Sequence, residues 1–281
     1  MINLLYCGNK KVFDGLLISL LSITKCTKDA LNVYCFTMDL SDKDERYVPI
    51  TQEQVDYIEN ILKEVNPKSK ITLLDLREIF LQELGNSKNL GTHFTPYTML
   101  RLLADKVDVL PDKLIYLDTD TIINSDLNQL WEVDVENYEF ACVKDLYNWA
   151  SPSRWSIKNY FNAGVLLFNM KLCKETKLFD KARELVNNKK LLYVDQDALN
   201  HSVTKKLMLP TKFNSKDKYY PEIVVHHFCN VREGKIKFIG KWWHRIKPWN
   251  VDLVKTKMDA YNPLLDEYLE RKKEFEENKK S

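Results

Sequence analysis

Four short apolar runs, Ile2 to Cys7, Leu31 to Thr37, Ile71 to Leu74 and Leu114 to Leu117, punctuate the first half of the chain. Helical signals lie between them. Leu16 to Ile23 follows a polar Gly8-Asn9-Lys10-Lys11 turn. Thr51-Gln52-Glu53-Gln54 has the form of a capping box, after which Val55, Ile58, Leu62 and Val65 share one helical face. Thr95 before Pro96 marks a helix start, with threonine as cap and proline in the first turn, and the helix runs to about Lys106. Strands alternating with helices predict a largely parallel α/β sheet, and such sheets bind ligands outside the carboxyl ends of their strands. The Gly8-Asn9 turn and the acidic Asp118-Thr119-Asp120 triplet both fall at such ends.

Later apolar runs at Phe140 to Val143, Gly164 to Phe168 and Ile223 to Val225 extend the pattern, and from about Leu264 the chain reads as a charged helix with few apolar positions. There is no repeat and no low-complexity linker. The simplest division is a domain over 1–250 and a C-terminal helical extension over 251–281. With 281 residues, 44% hydrophobic and 29% charged, the chain has the composition of a soluble globular protein. Lys and Arg total 42 against 40 Asp and Glu, so there is no global pull toward nucleic acid and any anion must be bound locally. Six scattered cysteines without C-x-x-C spacing read as reduced thiols. Leu16 to Ile23 is too short for a signal or membrane span. These features place the chain in the cytoplasm.

In an extended backbone, residues two apart project the same way, so Asp118 and Asp120 can aim their carboxylates at one point while Thr119 faces elsewhere. Hard oxygen ligands suit Mg2+ or Mn2+, ions that normally share their shell with substrate phosphates. A lone D-x-D is common in solvated loops. Its place directly after Leu114-Ile115-Tyr116-Leu117 is what marks it as a site.

The segment LIYLDTDTIIN, Leu114 to Asn124, resembles the D-x-D region of glycosyltransferase family 8, which includes lipopolysaccharide galactosyl- and glucosyltransferases and the glycogenins. YFNAGVLLFN (Tyr160 to Asn169), DQDALN (Asp195 to Asn200), and His226-His227-Phe228 followed by Lys247-Pro248-Trp249 resemble the same family in the same order. The resemblance implies a GT-A type fold, a mostly parallel mixed sheet flanked by helices. It also implies transfer of a hexose, glucose or galactose, from a UDP-sugar with retention of anomeric configuration. Mn2+, or Mg2+, would be held by Asp118, Asp120 and a late histidine. A divalent ion suits that chemistry because it neutralises the charge gathering on a diphosphate leaving group. The family's histidine-phenylalanine pattern favours His227 over His226, and alternation off Ile223 to Val225 sends only one of the pair to the cleft. His244 is a further competitor. Lys247, twenty residues beyond His227 where the family spacing is shorter, is a cation for the diphosphate.

The resemblance also assigns the remaining contacts. The family's first loop usually carries an aspartate and a tyrosine that contact uracil; here only Asn9 offers both donor and acceptor, and a turn asparagine is the alternative. Arg101 matches the arginine near the nucleotide-sugar, against a surface salt bridge; Thr119 goes with the two aspartates, and His93 is a weaker substrate contact. Asn162 and Ala163 open a strand where small residues let substrate approach, or else form a strand-start turn. Asp195, also a plausible helix cap, and Gln196 face the donor sugar and reaction centre, and Asp197 braces them.

Retaining hydrolases use a carboxylate nucleophile on the far face of the sugar. Here the residue placed there by motif is Gln196, a poor nucleophile, which implies front-side substitution. The implied partners are a UDP-hexose donor and a glycan or lipid-linked glycan acceptor of the lipopolysaccharide kind. Two alternatives stay open: self-glycosylation in the manner of the glycogenins, with Tyr219 or Tyr220 as the site, and a non-catalytic nucleotide-sugar-binding protein. Lys241-Trp242-Trp243-His244-Arg245 mixes cations and aromatics. It reads as a packed aromatic corner or as peripheral contact with the inner face of a membrane.

Overall fold

The computed structural model describes all residues except 93, 147–151, 217–218, 230–231, 234–243 and 280–281, with residues 232–233 and 244–245 described for their backbone alone. The first half runs β1 (Ile2–Cys7), α1 (Phe13–Cys26), β2 (Leu31–Thr37), α2 (Gln52–Val65), β3 (Lys70–Asp75), α3 (Arg77–Leu84), a 3-10 helix (Pro96–Lys106), β4 (Lys113–Leu117) and β5 (Thr121–Ile123). It continues through α4 (Asn128–Trp131), β6 (Phe140–Lys144), α5 (Pro152–Ser156), β7 (Phe161–Asn169), α6 (Met170–Glu175), α7 (Leu178–Asn188) and α8 (Val194–Ser202). The last elements are β8 (Lys206–Leu209), β9 (Val225–His227), β10 (Arg232–Glu233), β11 (His244–Arg245), α9 (Val251–Lys257) and α10 (Asn262–Asn278).

Seven strands form one sheet in the order β3-β2-β1-β4-β7-β6-β8. β1 pairs in parallel with β2 and β4, and β7 runs antiparallel to both β4 and β6, so the sheet is mixed and mostly parallel. From β1 the chain winds outward through β2 to β3, then returns to place β4 on the other side of β1. That reversal opens a crevice at the carboxyl ends of β1 and β4, where a doubly wound sheet binds its ligand. Because β7 is antiparallel, its first residues lie beside the end of β4: Leu117 pairs with Val165, and the Asp118 N–H donates to Gly164 O at 2.8 Å. Two stretches far apart in sequence thus meet at one edge.

Apolar side chains cover both faces. One core joins the sheet to α1, α2 and α10, and the other joins it to the 3-10 helix, α7 and α8. Helix α10 has few apolar positions, yet Leu264, Leu265, Tyr268 and Phe275 are buried. Phe275 sits 4.5 Å from Phe13 and 5.0 Å from Tyr57, ring centre to ring centre, and the Tyr57 hydroxyl donates to Arg271 O at 2.6 Å. The charged residues flank that seam, with Lys272 2.9 Å from Asp14.

The segment from Pro96 to Lys106 departs from an ordinary α-helix: all eleven residues wind as 3-10, and Thr95 caps it without a side-chain hydrogen bond. Such runs are normally short, so a long one needs outside support. Buried Arg183 of α7 supplies it, donating to Leu102 O at 2.6 Å and gripping Asp105 at 2.5 and 2.9 Å. Three residues per turn stacks Thr95, Thr98 and Arg101 in one column, and all three line the crevice.

Candidate active site

A cleft of about 550 Å³ occupies the crevice. Gly8 and Asn9 form one wall, Asp118 and Asp120 the floor, and Asn162 to Gly164 with Asp195 the opposite wall. β4 ends at Leu117 and β5 starts at Thr121, so the acidic triplet crosses a turn and is not a strand's alternating face. The carboxylates converge because cations draw them. Asp118 Oδ1 accepts from Arg101 Nη2 at 2.8 Å and from the Tyr116 hydroxyl at 2.7 Å, which leaves Oδ2 facing His227 Nε2 at 3.4 Å. Asp120 gives Oδ2 to Lys247 Nζ and presents Oδ1 to the same His227 nitrogen at 3.2 Å. Each carboxylate therefore has one oxygen clamped and one aimed inward. One ligand atom from each of Asp118, Asp120 and His227 lies within 4.8 Å of the others.

Burial opposes charge on these groups, but opposite charge prevails. Arg101 and His227 draw the Asp118 carboxyl down to about 2 despite its burial. His227 and Lys247 likewise hold Asp120 far below the usual carboxylate range. His227 is raised well above the ordinary imidazole value, with Cys229 and Asp120 overriding burial. Its Nδ1 hydrogen-bonds Asn214 Oδ1 at 3.0 Å, which leaves its buried Nε2 to the two carboxylates. Strand alternation sends the adjacent His226 the other way: its Nδ1 meets the Tyr261 hydroxyl at 2.8 Å, and its ring packs 4.5 Å from Phe228.

The opposite wall is a hydrogen-bonded lattice. Gln196 Oε1 accepts from Asn162 Nδ2 at 2.8 Å and from the Ala163 N–H at 3.1 Å, while Nε2 donates to Asp145 Oδ2 and to the Tyr160 hydroxyl, each at 3.1 Å. All four hydrogen-bonding positions of that amide are used. Asp197 braces the helix start, accepting from Tyr160 at 2.6 Å and from the Tyr193 N–H at 3.0 Å. Asp195 is in the first turn of α8, not at its cap, with Oδ2 3.2 Å from Arg101 Nε. Burial pushes its carboxyl up to about 6, with Arg101 pulling the other way.

The remaining predicted residues divide. Asn9 lines the cleft and also holds the turn, accepting from the Lys11 N–H at 3.1 Å and donating to Arg46 O at 3.4 Å, which leaves one donor and one acceptor position of its amide. Thr119 lines the floor, its carbonyl lying over Gly15, where a Cβ would come within 2.5 Å. Tyr219 packs edge-on against Tyr261 at 5.4 Å. His93, Trp242 and Trp243 lie outside the described residues, and His244 is described only as part of the β10–β11 ladder. Among the described residues no helix is long and apolar enough to cross a membrane.

Sequence reasoning missed Tyr116, Asn214, Asp145 and Lys216. Tyr116 sits inside an apolar run and reads as core; its ring also lies 4.0 Å under the Arg101 guanidinium. Asn214 belongs to none of the recognised motifs. Asp145 and Lys216 form a buried ion pair at 3.1 Å behind Gln196, which only the fold brings together.

A crevice at the β1/β4 switch point of a mixed seven-stranded sheet, floored by an aspartate pair, is the GT-A type of glycosyltransferase architecture. Crystal structures of the galactosyltransferase LgtC share the fold: an active-site mutant superposes with a TM-score of 0.70 at 17% identity, covering 95% of this chain and 96% of that one. A complex of LgtC with donor and acceptor sugar analogues gives 0.65 at 17% identity, over 94% and 95% of the two chains. The sequence profile of glycosyl transferase family 8 matches residues 3–263, and the chain belongs to that family. A glycosyltransferase of Haemophilus influenzae is 27% identical over 91% of this chain and 66% of its own length. A lipopolysaccharide 1,3-galactosyltransferase of Salmonella typhimurium is 25% identical over 76% of this chain and 63% of its own. The chain thus spans under two thirds of the length of these relatives.

Proposed function

We propose that this chain transfers a hexose, glucose or galactose, from a UDP-sugar to a glycan or lipopolysaccharide-like acceptor, with retention and with Mn2+ or Mg2+ at Asp118, Asp120 and His227. The observation that carries the reading is the inward aim of three ligand atoms, two carboxylate oxygens and a buried imidazole nitrogen, within 4.8 Å of one another. Gly164 fits the same purpose, since a Cβ there would fill the space beside His227 and Asp118. Two oxygens and one nitrogen suit a divalent ion that completes its shell with phosphate. When bound, the ion would neutralise the charge that gathers on the leaving diphosphate.

In this reading Lys247 turns from Asp120 to the diphosphate, Arg101 holds Asp118 and Asp195 in place, and Asp195, Asn162 and Ala163 contact the sugar. Gln196, its amide fully engaged, positions Asn162 and the β7 backbone instead of acting as a nucleophile. The acceptor oxygen bonds to C1 from the face that the diphosphate leaves, the C1–O bond to phosphate breaks, and the acceptor's proton passes to that phosphate oxygen. A glycosyl ester trapped on Asp195 overturns this path.

The test is a donor screen with UDP-glucose, UDP-galactose and their N-acetyl forms, with and without added Mn2+. Hydrolysis or transfer that prefers an unsubstituted hexose and stops on chelation is the expected result. Turnover that survives chelation sinks the metal assignment, and no turnover with any donor favours a nucleotide-sugar-binding protein. Contact with the inner face of the membrane is a separate part of the proposal. It is tested by binding to anionic vesicles, which Trp242→Ala with Trp243→Ala should abolish.

A further inference from the structure

The hydrogen-bond lattice on the β7 wall runs without a break into the metal side of the cleft, and its donor and acceptor sense can be read from fixed points. The backbone N–H of Gly164 can only donate, and it points at Asn162 Oδ1 at 3.1 Å, so that atom is an acceptor. The side-chain atom of Asn214 that meets the same Asn162 oxygen at 2.9 Å is therefore its NH2 group. The other end of the Asn214 amide is then a carbonyl oxygen, which can only accept. It faces His227 Nδ1 at 3.0 Å, so Nδ1 carries hydrogen and Nε2 is the nitrogen left for a ligand. A second fixed point agrees: the Ala163 N–H sets Gln196 Oε1 as an acceptor, which makes Asn162 Nδ2 the donor to it at 2.8 Å. Asn214, Asn162 and Gln196 are all buried, so water does not compete for these positions.

We propose that Asn214 is a positioning residue that couples the two halves of the site. Its carbonyl oxygen locks the His227 tautomer that presents Nε2 to Asp118 and Asp120, and its NH2 group holds Asn162 against Gln196 on the donor-sugar side. Neither function uses contact with substrate. A partner that orients a ligating histidine through its second nitrogen typically contributes about 10- to 100-fold in metal affinity. The inference rests on the proposed metal role of His227, and the two can fail separately.

The experiment measures Mn2+ affinity by electron paramagnetic resonance on the full chain, alongside donor hydrolysis and a thermal melt. Asn214→Ala removes both functions and should weaken Mn2+ binding by about tenfold or more while lowering turnover. Asn214→Asp keeps an oxygen for His227 but sets an oxygen against Asn162 Oδ1. It should bind Mn2+ at least as tightly as the parent, yet lose about tenfold in kcat through the displaced Asn162. Asn162→Ala should lower kcat and leave Mn2+ affinity within about threefold, since it lies beyond the histidine. If the parent chain binds no Mn2+, the metal reading fails. If the parent binds and Asn214→Ala binds equally well, or if Asn214→Asp loses the metal as Asn214→Ala does, the coupling role fails. Should Asn214→Ala not fold, the split between Asn214→Asp and Asn162→Ala decides, because loss of metal affinity in Asn214→Asp overturns the proposal by itself.

Discussion

A methyl group on Gly164 would lie 2.1 Å from Cε1 of His227, closer than any two such carbons approach without something moving. The same group would meet Asp118 Oδ2 at 2.7 Å. The glycine is needed here for space, because it sits within the extended run of β7 and its φ is not in the left-handed region. Gly164→Ala should therefore push the imidazole off the aspartates, weakening Mn2+ binding by about tenfold or more. The β4–β7 ladder stays in place, so the far-ultraviolet circular dichroism should not change. An unaltered Mn2+ titration would show that the ring finds another place.

Arg101 makes three separate engagements from one guanidinium: Nη1 donates to Ala163 O at 2.7 Å, Nη2 to Asp118 Oδ1 at 2.8 Å, and Nε lies 3.2 Å from Asp195 Oδ2. A lysine ammonium restores the charge but not the fork. Arg101→Lys should fold and bind donor, yet lose about 100-fold in kcat because Asp118 and the start of β7 drift out of register. Arg101→Ala leaves buried Asp195 without its cation and takes one of two cations from Asp118, and should cost about 3–5 kcal/mol in a urea titration. Equal stability of the two variants would mean that charge plays no part.

How much of this was legible depends on the range of the interaction. The strands β1 to β4 and the acidic pair could be read locally, since apolar runs and turn residues act within a few positions. Asp118 and Asp120 converge although the strand stops at Leu117 and no alternation holds them, because Arg101, Lys247 and His227 draw the carboxylates together. Asn214 and the Asp145–Lys216 pair carried no local signal, because a polar residue just after a strand or a short 3-10 turn looks the same whether it faces water or a buried partner. The long 3-10 winding of Pro96–Lys106 was equally hidden, and the Arg183 side chain that braces Leu102 and Asp105 comes from another helix. The amide of Asn9 fits the turn through Lys11 and Arg46, and it keeps one donor and one acceptor position at the cleft for a base.

Asp195 gives the site a measurable pH signature. Its carboxyl is pushed up to about 6 by burial, whereas an aspartate in the unfolded chain titrates near 4. Between those values the folded protein holds a proton that the unfolded chain has released, so the associated stability is complete below about pH 4 and is lost as pH rises through about 6. Asp195→Asn cannot ionise and has no such loss. In chelator-treated protein, the difference in unfolding free energy should move in favour of Asp195→Asn by up to roughly 3 kcal/mol between pH 4 and 7. A difference that stays flat across that window contradicts the raised carboxyl.

The neighbouring histidines should separate cleanly under mutation, because alternation along β9 puts them in different environments. His227 faces Asp118 and Asp120, whereas His226 is fully buried with its Nδ1 on the Tyr261 hydroxyl at 2.8 Å and its ring against Phe228. His227→Ala should abolish detectable Mn2+ binding with a modest effect on the melt. His226→Phe should keep Mn2+ affinity within about threefold but strand the Tyr261 hydroxyl, which is buried, at a cost of about 1–3 kcal/mol. Tyr261→Phe made on top removes the stranded group, so the double variant should be more stable than His226→Phe alone, a coupling that a double-mutant cycle measures directly. If His226→Phe loses the metal instead, β9 is registered one residue differently against β5, and the pairing of Thr121 with His227 is wrong.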